Sequence, residues 1–398
     1  MPEKHLHIVA FSIPYPANYG GVIDVFYKLK ALHKAGIKIH LHCYQYDRPE
    51  AHELNGLCES VNYYPRKTSF ASQLSLMPYI VESRQSDLLL KNLLSDKYPI
   101  LFEGLHSCYY LNHKSLQGRN LIYRESNIEH DYYLNLYKSE KNIGRKAFFL
   151  IESLKLRIFQ KQLKFATKML VVSQTDCDYL AQQFPAKKVV YLPSFHGNSE
   201  VKSKPGKGDY VLYHGNLSVG ENALAAEYLV REVFNDLSIP LIIAGLNPSE
   251  SLKKLISGFK NIRLIPNPPK DEMESLISNA QINVLVTFQA TGLKLKLLNT
   301  LYNGRWMLVN QEMLAGTGLE SLCEISVDAA DMKKKINLLF ETEFDQKQLV
   351  VRTELLQKRF SDEANARKLI NEVFDKQIFI SYLSAHPNFI NPHSEILH

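Results

Sequence analysis

The sequence has few cysteines, and none of them stands in a pattern that binds metal or builds a disulfide framework. An odd, scattered set without a CxxC pair is typical of reduced, structural thiols. Long apolar runs are also missing, since nothing approaches the ~20 residues of a membrane span, and the N-terminus lacks the basic start and long apolar core of a secretory signal. We therefore expect a cytoplasmic protein without a zinc site. The five cysteines are Cys43, Cys58, Cys108, Cys177 and Cys323.

Signatures of common cofactors and of nucleic-acid binding are lacking too. No GxGxxG motif follows the first strand, which disfavours a nicotinamide enzyme. The net charge of +6 is modest, and no RNA-binding signature, helix-turn-helix or zinc module accompanies it, so we expect no nucleic-acid partner. Asp176-Cys177-Asp178 has the DxD form of a metal-binding motif. However, the segment from Ser173 to Asp178 is typical of a helix N-terminus, where acidic residues interact favourably with the dipole. We expect no metal.

What the chain does contain is an alternation of short β-branched runs with helical stretches, which predicts parallel sheets covered by helices. Seven strands are expected between residues 7 and 192, and six between residues 210 and 326. A polar stretch, HGNSEVKSKPGKGD, separates the two series and has the composition of a linker. At 398 residues the chain exceeds the range of one hydrophobic core. We predict an α/β protein with two doubly wound domains, residues 1–195 and 196–361.

Ligands of such sheets bind beyond the carboxyl ends of the strands. In the first domain, Gly20 and Gly21 open a helix after the first strand; they either let a ligand approach the backbone or only make a turn. In the second domain, Gly215 and Asn216 lie in the matching loop, where they could make room for a phosphate.

The segment NVLVTFQATGLKLKLLNTLYNGRWMLVN is the most informative. It predicts a buried strand, a turn at residues 290–292, a helix that ends near Asn303, and a further strand. Lys296 and Asn299 share one face of that helix, and Lys294 lies in its first turn. Because lysine is unfavourable at a helix N-terminus without an anion, we interpret this place as a phosphate site. The alternative is a pair of solvated lysines on an amphipathic helix.

Polar residues also follow two strands of the first domain. Such residues could position an acceptor hydroxyl or stabilise a leaving phosphate, and histidine suits either task near neutral pH. Each histidine could equally be structural. The candidates for catalysis are His106, Asn127, Glu129 and His130.

A basic segment lies between Lys138 and Lys168. It carries nine lysines and arginines against two glutamates, a net charge of +7, which leaves the rest of the chain close to neutral. Its apolar residues could pack in the core. Alternatively, residues 145–168 could form a peripheral contact with anionic lipid on the inner face of the membrane.

Several of these segments together resemble retaining GT-B glycosyltransferases of the family 4 (group 1) type. Their donor-binding segment has a strand, the motif Gly-x-x-x-Lys-Leu-Leu, a turn and a second strand, and the segment after residue 282 has the same order. Three further segments are also similar to segments of that family: HGNLSVGEN, PYPANYGG and NIEHDYY. The resemblance implies two Rossmann-like domains that face each other across a cleft. Residues 1–195 would bind the acceptor, and residues 196–361 would bind the nucleotide sugar. A helix at about 362–380 would pack back on the acceptor-binding domain, and residues 381–398 would form a tail.

The resemblance also implies the reaction. The expected reaction moves a sugar from a sugar-nucleotide donor to a glycan or lipid-linked acceptor of a bacterial surface polysaccharide, with retention and without a required metal or other cofactor. The implied donor-binding residues are Gly20, Gly21, Gly215, Asn216, Thr291, Gly292, Lys294, Lys296, Leu297 and Asn299.

The donor segment departs from the family in one respect. Thr291 and Asn299 stand where members usually carry two glutamates, and the usual Arg and Lys near HGNLS are missing. Lys294, Lys296 or Arg305 could supply the positive charge instead. Two alternatives therefore stay open: a sugar-nucleotide epimerase on the same fold, and a non-catalytic protein that binds a sugar nucleotide or a glycan.

Overall fold

The computed structural model describes residues 3–69, 72, 75–288 and 294–374. The chain divides into two compact units. Unit 1 consists of Met1–Gly197 together with the segment that begins at Asp362, and unit 2 is Asn198–Ser361. The division after Gly197 lies two residues beyond the boundary expected from the linker composition.

Unit 1 is built on a seven-stranded sheet whose paired strands are all parallel. The strand order is β3-β2-β1-β4-β5-β6-β7. Its central strands are nearly continuous apolar runs, because helices cover both faces of a parallel sheet. The strands are β1 (His5–Ala10), β2 (Lys38–Gln45), β3 (Ser60–Pro65), β4 (Ile100–Glu103), β5 (Leu121–Arg124), β6 (Lys168–Val171) and β7 (Lys188–Tyr191).

The helices of unit 1 bury apolar faces against this sheet. In the first helix, Val22, Val25, Leu29 and Leu32 recur at three- and four-residue spacing and are all buried. The helix that starts at Asp362 joins the same core cluster through Ala366, Leu369 and Val373. The helices are α1 (Gly20–Lys34), α2 (Tyr79–Glu82), α3 (Asp87–Leu93), α4 (Glu129–Ser139), α5 (Ile143–Phe159), α6 (Gln174–Gln183) and, from the end of the chain, α14 (Asp362–Phe374).

Unit 2 repeats the plan with six parallel strands in the order β10-β9-β8-β11-β12-β13. The strands are β8 (Val211–Asn216), β9 (Leu241–Leu246), β10 (Ile262–Pro266), β11 (Ile282–Leu285), β12 (Trp306–Asn310) and β13 (Glu324–Ser326). The helices are α7 (Gly220–Tyr228), α8 (Glu250–Ile256), α9 (Lys270–Asn279), α10 (Leu295–Asn303), α11 (Gln311–Leu314), α12 (Ala329–Glu341) and α13 (Gln346–Arg359).

The predicted α/β class and both parallel sheets are confirmed, and each of the thirteen strands found in the described residues overlaps a predicted one. The last helix ends at Phe374 within the described residues, and the predicted tail at 381–398 lies outside them. Among the described residues, no helix is long and apolar enough to span a bilayer.

Candidate functional site

Each sheet has one place where the strand order reverses, and that place is where open α/β sheets bind ligands. In unit 2 it lies between β8 and β11, whose following helices are α7 and α10. In unit 1 it lies between β1 and β4. The predicted site residues of each unit are considered at its own reversal point.

Lys296 is the central cation at the reversal point of unit 2. Its Nζ donates to Asn222 Oδ1 at 3.1 Å and lies 5.2 Å from the centroid of the Tyr213 ring. Burial lowers the pKa of Lys296 to about 8; Glu221 opposes this shift and Lys294 adds to it. A half-buried ammonium whose hydrogen-bond partner in the described part of the chain is the neutral amide of Asn222 is well suited to receive an anion.

Glu221, in the first turn of α7, faces the same lysines. Thr287 donates to its Oε1 from the loop after β11. Burial raises the pKa of Glu221, while Lys294 and Lys296 lower it. The site therefore holds two lysines against one carboxylate, which favours an additional negative charge.

The start of α10 is the place where the sequence predicts an anion site. Lys294 is the residue that precedes its first turn, and that turn contains no acidic side chain. The lysine is thus placed where the helix dipole disfavours a cation unless an anion is bound. Thr291 and Gly292, the other predicted residues of this turn, lie outside the described residues.

A second contact fixes α10 against β8. His214 Nε2 lies 3.0 Å from Thr300 Oγ1, and both residues are buried. Burial, with a smaller effect from Lys296, lowers the pKa of His214 to about 3. The imidazole is therefore neutral at physiological pH and serves as a hydrogen-bonding group that positions the helix carrying Lys296.

The loop after β8 is arranged by short polar contacts. Asn216 accepts hydrogen bonds from the backbone N–H and hydroxyl of Ser218, at 3.1 and 2.7 Å. A Cβ at Gly215 would lie 3.2 Å from Cγ of Asn222, so glycine lets Asn222 reach the backbone of Asn216. Gly215 and Asn216 thus shape the predicted loop, and Asn222 accepts the hydrogen bond from Lys296.

The remaining predicted residues of this helix point elsewhere. The Leu297 side chain is fully buried in the apolar core of unit 2, so it positions α10 by packing. The Asn299 side chain accepts from Asn303 Nδ2 at 3.3 Å. Arg305 donates to the carbonyl oxygens of Ser278 and Ala280, which leaves the lysines as the cations of the site.

In unit 1, the loop after β1 lies against the first residues of α1. A Cβ on Gly21 would lie 2.6 Å from Cζ of Phe11, a distance that real Cβ atoms do not tolerate. Glycine at position 21 therefore lets the Phe11 ring pack this closely against α1, and Gly20 is the first residue of the helix. The Phe11 ring in turn lies 5.4 Å from the ring of His106, measured between centroids.

Below this loop is a buried ion cluster formed by Asp24, Lys28, Glu103 and Arg124. Lys28 Nζ bonds Asp24 at 2.9 Å and both Glu103 oxygens at 2.7 and 2.8 Å, and Arg124 lies 3.2 Å from Asp24. Burial raises the pKa of Glu103 against the opposing effect of Lys28. Burial also opposes the charge on Asp24, but Arg124 and Lys28 together lower its pKa to about 2. Glu103 thus belongs to a structural cluster.

His106 and Glu129, two of the predicted catalytic residues, face each other. His106 Nδ1 lies 3.7 Å from Glu129 Oε1, too far for a hydrogen bond, and neither atom has a hydrogen-bond partner among the described residues. Burial, followed by the charge of Arg84, lowers the pKa of His106 well below its usual value. Burial raises the pKa of Glu129 to about 8, against the opposing effect of Arg84. Two buried polar atoms that lack partners mark a place for a ligand.

Arg84 is the residue of this site that sequence reasoning missed. It is 5% exposed and donates from Nε to the carbonyl oxygen of Phe11 at 2.8 Å. Burial lowers its pKa to about 9, and its charge acts on both His106 and Glu129. It follows the short helix α2 in a segment without a recognisable motif, so only the fold reveals its role.

His130 and Asn127 are placed differently from that pair. His130 Nε2 lies 3.0 Å from Tyr179 OH, and Nδ1 lies 3.1 Å from Asp131. Both ring nitrogens of His130 therefore have protein partners. Asn127 is partly exposed in the loop after β5.

The DxD-like segment starts a helix, as predicted. Ser173 is the N-cap of α6 and accepts from the backbone N–H of Asp176 at 3.0 Å. Asp178 accepts from Gln174 at 2.8 Å. In the part of the chain that the structure describes, no group of three or more His, Cys, Asp or Glu side chains could hold a metal ion.

Comparisons with known proteins agree with this architecture. No family model matches the chain. A protein of Klebsiella pneumoniae, described as an uncharacterized 44.6 kDa protein in the cps region, is 28% identical over 334 residues. The match covers 78% of this chain and 84% of that protein.

Similar solved structures cover nearly the whole chain. TarM of S. aureus superposes with a TM-score of 0.62 at 10% identity, over 93% of this chain and 100% of that chain. A UDP-forming trehalose-phosphate synthase of Burkholderia xenovorans gives 0.60 at 10% identity with the same coverage. A UDP-glucosyltransferase of Polygonum tinctorium gives 0.54 at 14% identity, over 94% and 99%. The chain therefore has the GT-B fold.

Proposed function

We propose that this protein is a glycosyltransferase that moves a sugar from a sugar nucleotide bound by unit 2 to an acceptor bound by unit 1. The observation that carries the proposal is the half-buried Lys296 at the reversal point of unit 2, beside a helix start with no acidic residue. This arrangement matches the diphosphate of a sugar nucleotide, whose negative charge would offset the excess of the two lysines over the single carboxylate of Glu221. The fold supports the same reading, since its structural relatives include a UDP-glucosyltransferase and a UDP-forming synthase.

In the proposed donor site, lysine side chains stabilise the negative charge of the leaving group. A leaving nucleoside diphosphate gains negative charge as the glycosidic bond to it breaks, and fixed cations stabilise that charge in a site with little water. Lys296 and Lys294, with the N-terminus of α10, are the groups that would do so. The proposed step uses neither a metal ion nor an enzyme nucleophile, and the configuration at the anomeric carbon is proposed to be retained.

The acceptor site of the proposal is the pair His106 and Glu129 in unit 1. Their unpartnered atoms could bind a hydroxyl group, with Glu129 poised near its pKa of about 8 to exchange a proton. The relative from a cps region favours a glycan or lipid-linked acceptor of the kind used for surface polysaccharides.

Thermal unfolding with a panel of sugar nucleotides tests the donor site. Binding to the folded state stabilises it by about 2.7 kcal/mol when the ligand is present at 100 times Kd, so the correct donor raises Tm. Lys296→Met keeps the length of the side chain and removes the charge. Because a hydrogen bond to a charged group is worth about 1.5–3 kcal/mol, we expect roughly ten- to hundredfold weaker donor binding.

The matched control is Lys253→Met, since Lys253 is an exposed lysine on α8 that pairs with Glu250. It should leave donor binding unchanged. The donor-site assignment fails if no sugar nucleotide raises Tm, or if Lys296→Met binds the donor as wild type does. Incubation with the donor alone separates the alternatives, because an epimerase would convert the sugar without an acceptor. A binding protein would take up the donor and show no turnover with any acceptor.

A further inference from the structure

The exposed side of α5 carries five large apolar side chains that no part of the described chain covers. Their exposed fractions range from 36% at Leu150 to 85% at Ile143. The opposite side of the helix is anchored in unit 1 by Glu152, Ser153, Leu156 and Phe159. The five residues, called here the α5 stripe, are Ile143, Leu150, Ile151, Leu154 and Ile158.

The stripe is a single face of a long helix. Ile143, Leu150, Leu154 and Ile158 follow one another at spacings of seven and four residues, which places them on one side of an α-helix. With 17 residues, α5 is about 26 Å long at 1.5 Å per residue. Because single exposed apolar residues are common but a continuous row is not, the stripe is expected to be a contact surface.

The charged residues on the exposed side of α5 itself are positive, while Asp131 of α4 lies near Arg157 and Glu140 precedes the helix. Lys146 and Arg157 lie on one flank of it, and Lys161 and Lys164 follow the C-terminal end of the helix. The only acidic residue within α5 is Glu152, which is fully buried and bonded to Lys155 at 2.9 Å and to the backbone N–H of Tyr79 at 2.6 Å. The exposed side of α5 therefore combines apolar and basic residues without a carboxylate.

We propose that the α5 stripe docks this protein on an anionic lipid surface, with the apolar side chains in the boundary of the acyl chains and the basic residues among the headgroups. Such a pairing of an apolar face with basic flanks is what an interfacial helix needs. A second copy of the chain is a poorer occupant, because a symmetric contact would bring two basic faces together. The inference does not depend on the proposed transferase reaction.

Vesicle sedimentation tests the docking without any substrate. The full-length protein is mixed with vesicles of phosphatidylcholine alone, or of phosphatidylcholine and phosphatidylglycerol in equal parts. We expect binding to the anionic vesicles that weakens as salt is added. Arg157→Glu, which changes the charge by two, should weaken binding about thirtyfold, the factor for about 1 kcal/mol per charge. The double variant Leu154→Ser/Ile158→Ser should weaken it about tenfold or more by removing apolar surface.

Controls come from unit 2. Leu338→Ser removes a leucine that is 66% exposed on α12, and Lys254→Glu reverses an exposed charge on α8; both should bind vesicles as wild type does. The proposal is overturned if the protein binds neither vesicle, if it binds neutral and anionic vesicles equally, or if the α5 variants bind like the controls. Sedimentation velocity without lipid examines self-association: a dimer that the serine variant disperses, together with no vesicle binding, would assign the stripe to a second copy.

Discussion

The buried ion cluster of unit 1 yields a prediction about stability. Lys28 is fully buried, and its Nζ contacts Asp24 and both oxygens of Glu103 within 2.9 Å. Lys28→Met keeps the volume of the side chain but leaves two buried carboxylates with Arg124 as their remaining cation. Breaking a buried ion pair costs about 3–5 kcal/mol. In a unit of roughly 200 residues, that loss lowers Tm by about 10 °C.

Denaturant unfolding followed by circular dichroism measures the loss in the free energy of unfolding. Two further variants serve as comparisons. Lys34→Met removes a lysine from an exposed pair with Glu363 and should change stability by less than about 1 kcal/mol. Lys28→Met/Glu103→Gln should recover part of the loss, because an unpaired amide costs less to bury than an unpaired carboxylate. If Lys28→Met is as stable as Lys34→Met, the ion cluster does not stabilise the fold, and the structural role assigned to Glu103 is wrong.

Two further predictions concern unit 1. Burial lowers the pKa of His7 to about 4 in the folded protein, so the unfolded chain binds a proton first as pH falls below 6.5. The contribution of His7 to the free energy of unfolding should therefore fall by about 3 kcal/mol between pH 6.5 and 4. His7→Gln should flatten the dependence of Tm on pH. An equally steep curve in this variant would contradict the lowered pKa of His7. Gly21→Ala should cost about 1–3 kcal/mol, because the new Cβ meets the Phe11 ring. Gly220→Ala, whose Cβ has open space, should be neutral, and equal effects in both variants would refute the packing argument.

The fold could be predicted from the sequence because its signals are local. Each buried parallel strand is a short apolar run, as in Ile282–Leu285, and each is followed by a polar or glycine-containing turn. The same periodicity predicts a lysine at the start of α10, where the structure places Lys294 one residue before the first helical residue, Leu295. These features depend only on neighbours along the chain, so a single sequence contains them.

The partners of the site residues could not be predicted, because they are distant in sequence. Glu103 has the strand-end position of an acceptor residue, but its contact with Lys28 spans 75 positions. Lys296 and Asn222 are 74 positions apart, and nothing in either segment indicates the other. His106 and His130 look alike in the sequence, and only the packing shows that one has an unpartnered ring nitrogen while the other bonds Tyr179.

The two candidate sites together predict a pH profile for transfer. If Lys296 holds the donor as proposed, it does so only while it is protonated. Because its pKa is about 8, donor affinity should then fall as pH rises above 8. Glu129 accepts a proton only when it is ionised, and its pKa is also about 8, so proton acceptance should fall as pH decreases below 8. If Glu129 acts as the base, transfer at donor concentrations below KM follows a narrow bell centred near pH 8. Glu129→Gln should then remove the acidic limb together with most of the rate, while donor binding keeps its alkaline limb. A rate that rises steadily toward low pH in the wild type would mean that Glu129 serves instead as a hydrogen-bond donor in its protonated form, and the base would have to be sought elsewhere.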